Sequence, residues 1–515
     1  MSKTSFLQGA MVLTVAGIVV KILGGANRIL LSRLLEGEGI GLYQMAYPLY
    51  ILFLSIAGAG IPIAVSIMVA EQTAKGNYSG AKRIFHITLA VMTLAALGCG
   101  VAMALGAKAL IAYGLVRDER AYLPLLVLAP ALTISIVTCC FRGYFQGLQL
   151  MTPTAVSQMV DQFVRVCTML ALAWLLFPYG LEIAAAGLAG ITFLYYRHSR
   201  APLPADEGQF APCRAISVIR RLAVLAVPVA AANMLLPAVA SIDLFIVPQR
   251  LEAAGYTIHE ATTLFGYLTG MANGLVQLPT ILTISLATSL VPAVSAAYSK
   301  GQTDLVLQRA HTAMRIANVI TVPSCCGLAV LAVPISQMLY ATPEAGPAIC
   351  VLSISVFFIG VQQITSGLLQ GMGHTAIPLL NMAVAAVFKI VFSWHLTAIP
   401  WLGEVGAAWA TNIDLAVATI LNLYFAHRLI FYHVQWGYVA RLFLSAAAMA
   451  GTAWFAYHGL LLFLGNTGAT LAAISAAGAV YLLCLFLFRA VAADDLRRVP
   501  VIGAKVSSLL SRLEK

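Results

Sequence analysis

The chain reads as an all-α, polytopic membrane protein of about fourteen transmembrane helices, arranged as two six-helix lobes in parallel repeat with two further helices at the C-terminal end. Three observations predict this. Of 515 residues, 61% are hydrophobic and only 10% are charged, against roughly 25% charged in soluble domains. Apolar stretches of about 20 residues or more follow one another along the chain, each long enough to cross a ~30 Å hydrocarbon core. The two halves also share landmarks at a nearly constant offset.

The first span, 6–35, follows Lys3 and is longer than the ~7–15-residue core of a signal peptide, so it reads as a retained helix. Further spans are predicted at 41–71, 84–112, 121–149, 153–177 and 181–196. The Pro- and Arg-rich stretch from Arg197 to Arg221 follows, with Pro202, Pro204 and Pro212. Its centre, 201–218, is read as a cytoplasmic linker between an N-terminal lobe (1–200) and a C-terminal lobe (219–432). The second lobe holds spans at 219–247, 263–297, 308–340, 346–371, 375–399 and 404–428, and the added pair (433–490) holds spans at 437–464 and 467–489. In the tail, 491–515, Val499, Ile502, Val506, Leu509, Leu510 and Leu513 alternate with basic residues at helical spacing, the pattern of an amphipathic helix on the inner leaflet.

An even number of spans puts both termini on one side. If that side is cytoplasmic, 20 basic residues fall on it and four (Arg33, Arg117, Arg120 and Arg250) on the other. Such asymmetry is the positive-inside signature of a multi-pass cell-membrane protein. It accounts for most of the +11 net charge, which therefore does not point to nucleic acid.

The repeat is carried by Tyr43 and Tyr267, Lys75-Gly76 and Lys300-Gly301, Gln146-Gly147 and Gln370-Gly371, Arg165 and Lys389, and Glu182 and Glu404, at offsets of 222 to 225. Six spans per half give both repeats the same orientation, an arrangement found in alternating-access transporters with a cavity between repeats. The sixth span breaks the symmetry. The stretch from Glu182 to Arg197 is much shorter than its counterpart from Glu404 to Arg428.

Charges within spans are costly, at roughly 2.5–3.5 kcal/mol each at the bilayer centre. Lys21, Arg28, Arg165, Arg315 and Lys389 all fall there, whereas Lys108 lies nearer a helix end, where it can snorkel. Lys21 and Arg28 are seven apart and share a helix face, with Gly24 and Gly25 between them. Gln158, Asp161, Gln162 and Arg165 form a stripe on the fifth span, His311, Arg315 and Asn318 another on the ninth, and Asp243 and Asp414 are the other acids at depth. A net cationic interior predicts a site for an anion, with phosphate a natural ligand. The expected substrate-binding set is Lys21, Arg28, Asp161, Arg165, Arg315 and Lys389. The alternative, that such charges only pair and pin helices, stays open, above all for Asp161 and Arg165 at i,i+4.

Nothing in the sequence suggests catalysis. The nine cysteines form no CxxC, and the adjacent pairs Cys139-Cys140 and Cys325-Cys326 sit in apolar helices. No metal-ligand cluster, nucleotide-binding glycine loop or nucleophile–base arrangement stands out, so no cofactor or metal is expected and the chain is read as a non-enzyme.

Several segments carry a resemblance. They are Thr4-Ser5-Phe6-Leu7-Gln8-Gly9, Asn27-Arg28, Gly41-Leu42-Tyr43, Gly60-Ile61-Pro62, Val69-Ala70-Glu71, Arg142-Gly143-Tyr144-Phe145-Gln146-Gly147, Ser157-Gln158 with Asp161-Gln162 and Arg165, and Pro178-Tyr179-Gly180. Over nearly its whole length, and most specifically in its first half, the chain resembles the stage V sporulation protein B family, close to the MurJ-type lipid II flippases of the multidrug/oligosaccharidyl-lipid/polysaccharide exporter superfamily. Asp161 stands where that family often has glutamate. The resemblance implies fourteen helices, two lobes around a cationic cavity and alternating access. It also implies a polyprenyl-diphosphate-linked peptidoglycan precursor of lipid II type as cargo, with a role in spore cortex synthesis and cell-wall synthesis enzymes as partners. The cavity role of basic residues on the first helix carries over to Lys21 and Arg28. Other readings are a polysaccharide repeat-unit flippase, a cation-coupled multidrug exporter, and a non-transporting scaffold for wall synthesis.

Overall fold

A computed structural model of the chain describes residues 3–58, 60–148, 159, 162–163, 166–167 and 214–488. The described residues form helices and connections, with no strand among them. Helices overlie the expected spans one to four and seven to fourteen. The fifth and sixth spans fall mostly or wholly outside the described residues, as do the short sixth helix's geometry and the amphipathic tail. Nine helical stretches among the described residues are long and apolar enough to cross a membrane, several of them long enough to do so twice. The protein is an all-α, multi-pass membrane protein.

The elements are α1 (Lys3–Gly58), α2 (Ile61–Ala74), α3 (Tyr78–Ala112), α4 (Tyr122–Gly147), α5 (Ala215–Ala253) and α6 (Ile258–Phe265), followed by a π-helical turn at Gly266–Ala272. Then come α7 (Asn273–Tyr298), α8 (Thr303–Val330), α9 (Ala332–Tyr340), α10 (Gly346–Leu352), α11 (Ile354–Gly371), α12 (Ala376–Leu396), α13 (Gly403–Ile430) and α14 (Trp436–Leu487). Two of these contain breaks. In α1 the chain turns at Glu36 (φ 55°, ψ −165°), and in α14 at Gly465 (φ 64°, ψ 178°). Both breaks fall between predicted spans, at 35/41 and 464/467. Glycine adopts this conformation freely, whereas at Glu36 it costs on the order of 1–3 kcal/mol. The second predicted span is itself divided, since α1 ends at Gly58 and α2 begins at Ile61 with Pro62 in its first turn. The linker is shorter than predicted at its C-terminal end, because α5 starts at Ala215.

The chain forms two compact units. One comprises residues 1–271 with 397–404, the other 272–396 with 405–515. The first unit thus includes α5 and α6, which the sequence assigns to the second lobe. The physical reason is close backbone approach: a methyl at Gly60 would overlap the carbonyl of Ala226 on α5, and Arg221 at the start of α5 pairs with Glu71 on α2 at 2.6 Å.

The repeat is visible inside each unit. On α4, a Cβ at Gly143 would stand 2.7 Å from the Pro62 carbonyl oxygen, and one at Gly147 2.8 Å from that of Ser66. On α11, Gly367 meets the Ala287 carbonyl oxygen at 2.9 Å and Gly371 that of Val291 at 2.8 Å in the same construction. Each contact recurs at the offset of the sequence repeat, with Gly143 and Pro62 answered by Gly367 and Ala287. The turns repeat as well. Gly76 (φ 71°) and Gly301 (φ 70°) close equivalent connections, and 3₁₀ turns at Glu119–Ala121 and Pro343–Ala345 precede equivalent helices. Glycine is required at these points because a side chain would meet backbone, or because φ is positive. The landmarks were therefore the part of the duplication a sequence could preserve.

Candidate functional site: a cationic helix face and its surroundings

Of the six predicted residues, three have described side chains. Arg28 is half-buried on α1, and Lys21 lies two turns earlier on the same continuous helix, its side chain outside the described residues. Asp161 and Arg165 lie outside them too. Their neighbour Gln162 is described and buried, and its amide nitrogen would stand 3.3 Å from a Cβ placed on Gly24. Gly24 sits between Lys21 and Arg28, three residues from one and four from the other. The missing side chain at Gly24 thus admits the Gln162 amide to this part of α1.

Lys389 is 5% exposed on α12, on the side that also buries Asn381, Ala385 and Ser393. Polar side chains knit that region together. Asn381 donates to Asn422 Oδ1 at 2.8 Å, Asn422 donates to Ser366 Oγ at 3.0 Å, Thr419 donates to the Phe358 carbonyl, and Asn412 donates to that of Val351. In an apolar medium such bonds fix helices that the hydrophobic effect alone does not order.

Arg315 takes a position the sequence did not suggest. Its Nε donates to Gln435 Oε1 at 2.9 Å, and its guanidinium lies 5.4 Å from the centre of the Tyr438 ring. Tyr438 in turn donates to the Arg315 carbonyl at 3.2 Å. Gln435 precedes the first residue of α14, so Arg315 sits at the level where that helix begins. Lys108 is exposed, with its ammonium 5.9 Å from the Tyr122 ring centre near the end of α3, as expected of a snorkelling residue. Among the described residues no group of three or more His, Cys, Asp or Glu side chains is placed to hold a metal.

The residues that sequence reasoning missed lie in the connections of the first unit. Arg120 pairs with Glu38 at 2.6 Å and with Asp118 at 2.7 Å, and His259 Nδ1 lies 2.7 Å from the same Glu38 carboxylate. Thr262 donates to Asp118 at 2.9 Å, and Tyr256 donates to the Pro400 carbonyl at 3.1 Å. The four connections involved, at 36–40, 113–121, 254–262 and 397–404, are those that alternating spans place on one face. Arg117 and Arg120 were counted only for topology, because pairing between connections so far apart in the chain leaves no local pattern. Below this network the helices cross glycine to glycine. A methyl on Gly266 would overlap the Gly37 carbonyl oxygen, one on Gly41 that of Thr262, and one on Gly270 the Ile40 side chain. Gln44 donates to the Thr269 carbonyl at 2.8 Å within the π-helical turn.

Asp118 has its side chain only 3% exposed. Burial by itself raises its pKa, but hydrogen bonds from Arg120 and Thr262 and the Arg120 charge outweigh it and hold the carboxyl below its ordinary value. A depressed folded pKa gives stability that is complete above about pH 4 and is lost as pH falls through the folded value. Asp118→Ala is expected to cost about 1–3 kcal/mol, because Thr262 loses its buried acceptor and Arg120 keeps only Glu38 as an ion-pair partner. Asp118→Asn should flatten the dependence of the melting temperature on pH below about 4. Melting curves of the purified protein across that range check both.

The profile of the polysaccharide biosynthesis protein family matches residues 6–298, more than half the chain, and that of the lipid II flippase MurJ family matches residues 267–474. The chain is 29% identical to stage V sporulation protein B of Bacillus subtilis (strain 168), across 98% of this chain and 99% of that protein. It is 27% identical to lipid II flippase MurJ of the same organism, across 93% and 95%. Among solved structures it is similar to lipid II flippase MurJ in an inward closed conformation, with a TM-score of 0.71 and 14% identity over 93% of this chain and 99% of that one, a likeness of fold. With its all-helical membrane fold and its repeated glycine packing, the chain belongs to the polysaccharide biosynthesis protein family.

Proposed function

We propose that the protein is an alternating-access flippase that moves a polyprenyl-diphosphate-linked peptidoglycan precursor of lipid II type from the inner to the outer leaflet, in spore cortex formation. The observation that carries this reading is the approach of Gln162 to Gly24. Gln162 is the described neighbour of Asp161 in the sequence stripe, and its approach to the glycine between Lys21 and Arg28 supports a polar setting for a diphosphate on this helix. The similarity to lipid II flippase MurJ along nearly the whole chain supports this cargo class, and that to stage V sporulation protein B supports the sporulation role. In this proposal Lys21, Arg28, Asp161 and Arg165 meet the diphosphate, and Lys389 is a further proposed contact. Arg315, tied to Gln435 and Tyr438, holds its connection in place. The two six-helix repeats are the proposed moving parts, both termini are cytoplasmic, and wall-synthesis enzymes receive the product.

A second reading follows from the match of residues 6–298 to the polysaccharide biosynthesis family, namely a cargo whose glycan carries no peptide. Purified protein in proteoliposomes separates the two. Flipping of fluorescent lipid II, with little flipping of a peptide-free polyprenyl-diphosphate oligosaccharide, is the expected result. Preference for the peptide-free lipid would establish the second reading, and flipping of neither would remove both.

A further inference from the structure

The connection between α13 and α14 has a backbone that its sequence does not favour. Phe431 adopts φ 53°, a left-handed conformation that is unusual for a bulky residue. Strain of this kind persists only where the surroundings impose it and often marks a functional position. Its effect here is to sort the side chains. Phe431 points outward and is 71% exposed, Tyr432 turns inward and is 4% exposed, His433 turns outward, and Trp436 follows at 75% exposed. Inside, the Tyr432 ring stacks on His311 of α8 at 4.7 Å. The Tyr432 carbonyl lies 3.1 Å from His427 Nδ1, and the His427 ring meets that of His433 edge-on at 4.7 Å. Arg315 stands one turn beyond His311, and both it and His433 are electrostatic neighbours of His311.

The charge of this corner is one-sided. Residues 305–320 and 415–446 carry Arg309, His311, Arg315, His427, Arg428, His433 and Arg441 and contain no Asp or Glu. Arg309 is engaged by the Ala293 carbonyl and Arg315 by Gln435. The other titratable groups on these elements are Tyr298 at the end of α7, the exposed Asp304 in the first turn of α8 with Cys325 and Cys326 farther along it, Tyr424 on α13 with Asp414 and Glu404 three or more turns from His427, and Tyr438, Tyr457, His458, Tyr481 and Cys484 on α14. Clustered imidazoles beside guanidinium groups repel one another once protonated, and an anion relieves that repulsion. Flanking exposed aromatics place the anion at the depth where ring side chains meet headgroups.

We infer that this corner binds the phosphate of an anionic phospholipid headgroup, with His427 and His433 as its contacts and Phe431 and Trp436 seated in the bilayer interface. The site belongs to the second compact unit and is independent of the cargo-binding reading. Phosphate favours protonated imidazole, so binding strengthens as the pH falls through the histidine range.

The test is lipid binding to the full-length protein in detergent, followed with a short-chain phosphatidylglycerol. Tighter binding at pH 6 than at pH 8 is expected, with a drop of about ten-fold or more at pH 6 in His427→Gln/His433→Gln. His427→Lys/His433→Lys should bind well at both pH values. Equal binding of phosphatidylcholine, or unchanged phosphatidylglycerol binding in the Gln variant, would overturn the inference. Inorganic phosphate that binds as tightly as the lipid would show a free-phosphate site instead and would overturn it too. If the Gln variant does not fold, the Lys variant decides: a pH dependence equal to that of the unaltered protein excludes the two imidazoles.

Discussion

Replacing Gly266 by valine is expected to prevent the first unit from closing as it does in the structure. The new Cβ would meet the Gly37 carbonyl oxygen, and the amide nitrogen of Gly41 lies next to it. Both are backbone atoms in helices, so neither can swing aside as a side-chain tip would. The usual cost of overpacking, about 1–3 kcal/mol, assumes neighbours that can shift, and here the helix axes themselves must separate. That separation would also pull Gln44 from the Thr269 carbonyl and Thr262 from Asp118. A loss of about 3 kcal/mol or more is therefore expected. It should be seen as a lower melting temperature and poor recovery of monodisperse protein. Gly98→Ala is the control, since nothing lies within 4 Å of a Cβ there and a helix gains up to about 1 kcal/mol from the change. A Gly266→Val variant as stable as the unaltered protein would mean that this glycine crossing is not a packing contact.

The contrast between these glycines shows what a sequence can disclose. Gly147 and Gly371 were legible as repeat landmarks because each sits in a short motif that duplication preserved. The breaks at Glu36 and Gly465 were legible because the apolar runs that contain them are too long for one bilayer crossing. Gly37, Gly41, Gly266 and Gly270 carry equally tight contacts, yet their partners are remote in the chain and neither helix announces the other. The same holds for Glu38, Arg120 and His259, whose individual positions read only as loop charges. Arg315 is the instructive case within the predicted site. Its position inside an apolar run was visible, but its depth depends on where α14 begins relative to α8, and periodicity within one helix cannot give that. Membership of α5 and α6 in the first unit was hidden for a related reason, because linker composition suggested a boundary where the chain continues into a helix that packs back on α1 and α2.

The largest functional effect is expected from Lys21→Ala combined with Arg28→Ala. The two positions are seven residues apart on one helix face, and Gln162 packs against the glycine between them. A hydrogen bond to a charged group is worth about 1.5–3 kcal/mol. Two such contacts to a diphosphate would lower its occupancy, when lost together, by on the order of a hundred-fold or more. Charge rather than shape is the relevant property, so Lys21→Arg with Arg28→Lys should retain most of the transport. Charges held at depth cost roughly 2.5–3.5 kcal/mol each on insertion scales, and a bound anion offsets part of that cost. Removing both charges should therefore stabilise the empty protein even as it abolishes flipping, a pairing of outcomes that loss of folding cannot mimic. Flipping of fluorescent lipid II in proteoliposomes, measured beside the melting temperature, checks both halves. Full transport in the double alanine variant would sink the assignment of this face to the cargo. Loss of transport together with loss of stability would make Lys21 and Arg28 structural pins.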